Sequence, residues 1–129
     1  MGKTHWYVVS SDVNIDIRLI FRDANANLIL CDGATLTINN NENDSGIEID
    51  GNLFIYGQTA GNGTASITSG NIGIGCDNLI INGGIVSSTS TFSTAIRSNF
   101  DITINRGSAT VKLGTVPFFT CQSKQQNER

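Results

Sequence analysis

The chain has 129 residues, 14 of them Gly and 1 Pro, with 15% charged residues and a net charge of −3. This length sets one domain with a small core, and low charge with many β-branched residues excludes both a disordered chain and a helical bundle. Lys and Arg are scattered, so no basic stripe is available for nucleic acid, and no apolar stretch approaches the roughly 20 residues that would insert into a membrane.

In chain order, the first element is the apolar run Trp6-Tyr7-Val8-Val9. It is expected within an N-terminal cap, residues 1–16, of a single domain covering residues 1–121. No apolar leader core precedes it, so localisation stays open between an intracellular protein and a mature or excised piece of a secreted one.

A three-part unit then recurs. Its first strand is Asn27-Leu28-Ile29-Leu30, followed by Asn52-Leu53-Phe54-Ile55, Asn78-Leu79-Ile80-Ile81 and Asp101-Ile102-Thr103-Ile104. From Leu28 to Leu53, Leu79 and Ile102 the steps are 25, 26 and 23 residues. After a polar or Gly-containing turn comes a second strand: Thr35-Leu36-Thr37-Ile38, Ala65-Ser66-Ile67-Thr68, Ile85-Val86-Ser87 and Ala109-Thr110-Val111. Residues 58–63 are extra and read as a loop bulging from the coil. A third strand returns in phase as Ile47-Glu48-Ile49, Ile72-Gly73-Ile74 and Ala95-Ile96-Arg97.

Several strands per unit at a period of roughly 20–30 residues is the signature of a solenoid. The segments alternate polar and apolar residues and are too short for helices. A β-meander sandwich also gives short alternating strands, but it does not require the same three-strand order to return in phase. The predicted fold is therefore all-β: a parallel β-solenoid, right-handed by the crossover rule, with three short strands per coil and about four coils. Stacking predicts one interior ladder of Leu28, Leu53, Leu79 and Ile102, and a second of Leu30, Ile55, Ile81 and Ile104. Asn82 and Asn105 share a turn position where stacked amides can bond to one another. Val116-Pro117-Phe118-Phe119 reads as part of a C-terminal cap over residues 114–121, and residues 122–129 as a disordered polar tail.

Sites of chemistry are sparse. Cys31, Cys76 and Cys121 form no CxxC pair and read as small, mostly buried thiols. His5 is the single His and offers no triad. No three acids stack on one face beside an Arg, so no catalytic residue is assigned, and the acids read as solvated turn residues. Residues 39–46 are rich in oxygen ligands, but the EF-hand spacing fails: with Asn41 as the first loop position, the twelfth is Asn52. No cofactor is expected, with calcium at this loop the weak alternative.

If Leu28 and Leu30 point inward, Ile29 points outward, and so do Phe54, Ile80 and Thr103. Ile29, Phe54 and Ile80 then form an outward apolar stripe, a surface for a protein partner and most simply for a homodimer. The alternative is that Trp6-Tyr7-Val8-Val9 covers it. Tyr56 and Gln58, next to Phe54, are the modest candidates for a glycan.

Three further strings carry a family resemblance: Leu28-Ile29-Leu30-Cys31-Asp32-Gly33-Ala34-Thr35-Leu36, Leu53-Phe54-Ile55-Tyr56-Gly57-Gln58 and Leu79-Ile80-Ile81-Asn82-Gly83-Gly84. With the N-terminal apolar run, they resemble the parallel β-helix segments of large cell-surface proteins of gut and other anaerobic Gram-positive bacteria. The resemblance covers roughly residues 6–113. It implies a secreted or wall-attached right-handed β-helix, related to carbohydrate-binding modules and to pectin-cleaving lyases. This chain departs from the pattern in having fewer coils and no leader. The expected function is a noncatalytic surface scaffold, adhesion or carbohydrate-associated binding module. The alternatives are a degenerate or partial polysaccharide lyase or glycosidase, and a homo-oligomeric structural protein.

Overall fold

A short β-branched run cannot bury its apolar side chains alone, and a Gly- or Asn-bearing corner every few residues stops it from extending. The solution seen in the computed structural model is a parallel β-solenoid of about four turns. The structure describes residues 3–22, 24–40, 44–113, 120–121 and 124–125. Among these the chain is all strand and turn.

The first coil is β1 (Lys3–Val9), β2 (Val13–Ile15) and β3 (Leu19–Phe21). The second is β4 (Ala24–Leu30), β5 (Thr35–Asn40) and β6 (Ile47–Ile49). The third is β7 (Asn52–Tyr56), β8 (Thr64–Ser69) and β9 (Ile74–Cys76). In the fourth, β10 (Asn78–Ser90) runs through the first corner without a break and is followed by β11 (Ile96–Ser98). The long β12 (Asp101–Leu113) repeats that pattern, with β13 (Thr120–Cys121) and β14 (Lys124–Gln125) beyond it.

The strands build three faces. β1, β4, β7, the first part of β10, β12 and β14 stack on one. β2, β5, β8 and the later parts of β10 and β12 form the second. β3, β6, β9, β11 and β13 form the third. Every pairing is parallel, as one chain coiling in one sense requires. Lys3–Val9 is thus the first strand of the coil itself. Of the proposed cap at residues 114–121 only Thr120–Cys121 is among the described residues, as β13, and most of the polar tail lies outside them.

The interior ladders form, with one correction. Leu53, Leu79 and Ile102 are vertical neighbours, but the residue next to Leu53 on β4 is Ala26, not Leu28. Leu28 instead joins Ile55, Ile81 and Ile104. The offset is two residues, an even number, so every side chain keeps its predicted face. Leu30, Ile55, Ile81, Leu79 and Ile38 are fully enclosed. On the second face Leu36, Ala65, Val86 and Ala109 stack inward, as do Ile38, Ile67, Ser88 and Val111.

The third series also needs correction. Ile47 stacks on Ile74 and Ile96, so the columns are Ile47-Ile74-Ile96 and Glu48-Gly75-Arg97. Sequence counting aligned Glu48 with Gly73 and Ile96. For the last strand that offset is one residue, an odd number, which exchanges the inward and outward sets: Ile96 is buried and Arg97 exposed.

Amide ladders set this register. At the corner entering the first face, Asn25 Oδ1 accepts from the Asn52 N–H at 2.8 Å. Asn78 Nδ2 donates to Asn52 Oδ1 at 3.0 Å, and the Asp101 N–H donates to Asn78 Oδ1 at 3.0 Å. At the next corner Asn105 Nδ2 donates to Asn82 Oδ1 at 2.7 Å, the pair expected from sequence. Backbone contact between coils is close there: a Cβ on Gly57 would sit 2.6 Å from the Gly84 nitrogen, and one on Gly83 2.6 Å from the Gly57 nitrogen. Only residues without side chains let these corners stack.

Candidate functional site

The first face carries the candidate binding surface. In β1, β4, β7 and β10 alternate residues point outward, which places Trp6, Asn27, Phe54, Ile80 and Thr103 in one column. Val8, Ile29 and Tyr56 form the column beside it. The predicted stripe residues therefore share a face, but Ile29 neighbours Tyr56, one column over from Phe54 and Ile80. All three are half-buried by their neighbours.

β1 does not fold over this surface. It extends it, adding Trp6 and Val8, which are 60% and 59% exposed. The Trp6 and Tyr56 rings stack across the intervening strand, centroids 5.7 Å apart and planes 21° from parallel. Asn27 lies between them and is buried. Tyr56 OH donates to Asn27 Oδ1 at 3.4 Å, and Asn27 Nδ2 donates to the His5 carbonyl at 3.4 Å. The amide is thus committed to the backbone of the neighbouring rung and orients the Tyr56 ring. The result is an apolar platform that brings Trp6, Tyr56 and Phe54 to one face, with Val8, Ile29 and Ile80 beside them. Trp6 was legible as apolar but not as part of this face, because only the parallel pairing of β1 with β4 brings it there.

Gln58, the second glycan candidate, has its Oε1 accepting from the Asp32 N–H at 2.8 Å. Asp32 in turn accepts from Ala60 and Gly61 N–H groups at 2.9 and 3.0 Å, and Asn62 Oδ1 accepts from the Gly33 N–H at 2.8 Å. These bonds pin the inserted loop, residues 58–63, against the corner of the coil before it.

On the third face, side chains that sequence counting kept apart come together. Arg18 Nη1 donates to Asp44 Oδ1 at 2.8 Å and reaches Glu48 Oε1 at 3.5 Å. Asp50 and Arg97 line the same cleft of about 350 Å³. The available signal was the alignment of Ile47-Glu48-Ile49 with Ile74-Gly75-Cys76 and Ile96-Arg97-Ser98, which keeps an apolar residue first in each triplet.

The Asn-rich loop is only partly described, since residues 41–43 lie outside the described set. Within it Asn40 is buried and donates to the Ser45 carbonyl at 3.1 Å, while Asp44 serves Arg18. Among the described residues no group of three His, Cys, Asp or Glu side chains is placed to hold a metal. Cys76 is buried and Cys31 half-buried, and the side chain of Cys121 lies outside the described set.

A third feature is a cavity of about 370 Å³ lined from the first three coils by apolar side chains including Tyr7, Phe21, Ala26, Leu28 and Leu53. Tyr7 and Phe21 meet across it, ring centroids 5.0 Å apart. No family model, no curated protein and no solved structure matches this chain, so its class rests on the fold alone: a parallel β-solenoid.

Proposed function

We propose that the protein is a noncatalytic binding scaffold whose first face takes carbohydrate, in the manner of a surface or adhesion module. The observation that supports this most is the near-parallel Trp6 and Tyr56 pair on a flat, regular sheet. Sugar rings present apolar C–H faces, and broad aromatic rings held rigid by a β-sheet are the side chains that pack against them. The stacked sheet supplies rigidity: β4, which lies between the strands of Trp6 and Tyr56, is hydrogen-bonded on both sides, to β1 and to β7. The resemblance of the repeats to bacterial cell-surface β-helices points the same way.

The chain contains 1 Trp, and it stands on this face, so its emission reports binding directly. Titration with neutral and acidic oligosaccharides is expected to shift Trp6 emission to the blue, and Trp6→Ala to remove binding measured by calorimetry. Silence across both classes of sugar defeats the proposal.

A second reading, self-association through the same face, is favoured by the aliphatic margin of Val8, Ile29 and Ile80. It expects the blue shift to grow with protein concentration alone, together with a dimer in sedimentation that Val8→Asp abolishes. A monomer at all concentrations removes this reading without touching the first.

A further inference from the structure

Gly75 is the starting point. It lies in the middle of β9 with its outward position between Glu48 on one rung and Arg97 on the next. A glycine inside a strand weakens it relative to alanine, so it needs a reason. Elsewhere in this fold the reason is visible: a Cβ on Gly46, Gly57, Gly63 or Gly83 would strike neighbouring atoms within 2.6 Å. At Gly75 the backbone is not left-handed, and an added Cβ would have only the Ile72 Cγ2 near it, at 3.4 Å. The fold does not require glycine at this position. What its absent side chain does is open a notch in the outer surface of the third face, in the floor of the 350 Å³ cleft.

The charges around the notch are arranged in two halves. On one side Arg18 is shared between Asp44 and Glu48, and Asp50 makes no ion pair among the described residues. On the other side stands Arg97, exposed and without an ion-pair partner among the described residues. A simple anion drawn to Arg97 meets Glu48 and Asp50 close by, and a simple cation drawn to those acids meets Arg97. Both are disfavoured by the second half of the site.

We propose that this cleft is a binding site for a small zwitterion, its ammonium group toward Glu48 and Asp50 and its carboxylate toward Arg97, lying over Gly75. The rung spacing sets its size. Strands stand about 4.8 Å apart, so Glu48 and Arg97 spring from backbones roughly 10 Å apart, with the side-chain-free Gly75 between them. A ligand with its charges about 5 Å apart, one rung, bridges them. Linear ω-amino acids and the two ends of a dipeptide have this separation. Arg97 offers a planar fork to the carboxylate, and the acids accept the ammonium protons.

The site is on a different face from the aromatic platform, so each proposal fails without the other. The test is an NMR titration of the full chain, following the Gly75 amide and the Arg97 Nε signal. Probes are 5-aminovalerate, glycylglycine, valerate and pentylamine. Both zwitterions are expected to move these signals to saturation with Kd on the order of 1 mM, while valerate and pentylamine leave them at least tenfold weaker. Whichever zwitterion binds more tightly identifies the source, free amino acid or peptide end. Gly75→Val fills the notch with a residue that suits a strand and is expected to abolish the shift while the rest of the spectrum is retained. Arg97→Gln, at an exposed position, is expected to weaken binding at least tenfold and to remove the preference over pentylamine. Equal response to valerate or pentylamine, binding that survives Gly75→Val, or no shift with either zwitterion overturns the proposal.

Discussion

The two-residue offset between β4 and β7 makes a quantitative prediction for Ala26→Val. Ala26 points inward, is fully enclosed, and neighbours Leu53 on one rung and His5 on the other. It also lines the apolar cavity of about 370 Å³, so the added methyl groups have space to enter. Burying two of them contributes about 1.6 kcal/mol, and fixing the valine rotamer costs about 0.5 kcal/mol. The net is about 1 kcal/mol of added stability. A chain of 129 residues has an unfolding entropy of about 0.27 kcal/mol per kelvin, so Tm is expected to rise by about 4 °C. Thermal unfolding followed by circular dichroism reads this directly. Leu79→Ala is the control in the same assay. Its side chain is fully buried between Leu53 and Ile102, and its loss is expected to cost about 3 kcal/mol, a fall of about 11 °C. Were Leu28 the residue over Leu53, as equal counting implies, position 26 would lie at the corner before the strand and valine would be neutral there. A change in Tm below about 1 °C, or a fall, for Ala26→Val refutes the offset and the cavity together.

Further outcomes follow from single contacts. Ser69 is fully buried, and among the described residues its hydroxyl has no hydrogen-bond partner, so Ser69→Ala is expected to stabilise by about 1 kcal/mol in urea titration. Gly83→Ala drives a Cβ to 2.6 Å from the Gly57 nitrogen and is expected to lower stability by more than about 2 kcal/mol, since backbone on both rungs must shift. Asp32→Ala removes the acceptor for the Ala60 and Gly61 N–H groups, and its effect is expected to be local. Limited proteolysis within residues 58–63 and faster amide exchange there should appear with a global change near 1 kcal/mol or less.

Some of this architecture is written in the chain. The in-phase return of three strand types specified a coil with three sides and a parallel sheet, because no other arrangement brings equivalent strands together once per period. The alternation within the strands of the first two series specified which residues face inward, and the large residues of the first ladders are buried as expected except Ile104, which is half-buried. The Asn82 and Asn105 pair could be foreseen because both sit one position after a strand core, ahead of a glycine corner or its equivalent. Register was not legible. Spacing along the chain counts the residues in corners and loops as well as those in strands, and corners of different length displace one rung against the next. The slip of two at Ala26 was harmless, whereas the slip of one at Ile96 hid Arg97 from Glu48 and with it the notch over Gly75. What decided the register is the fit between coils: amide ladders from Asn25 through Asn52 and Asn78 to Asp101, and glycine corners that touch backbone to backbone. Those contacts join residues more than twenty positions apart, and they exist only once the coils are stacked.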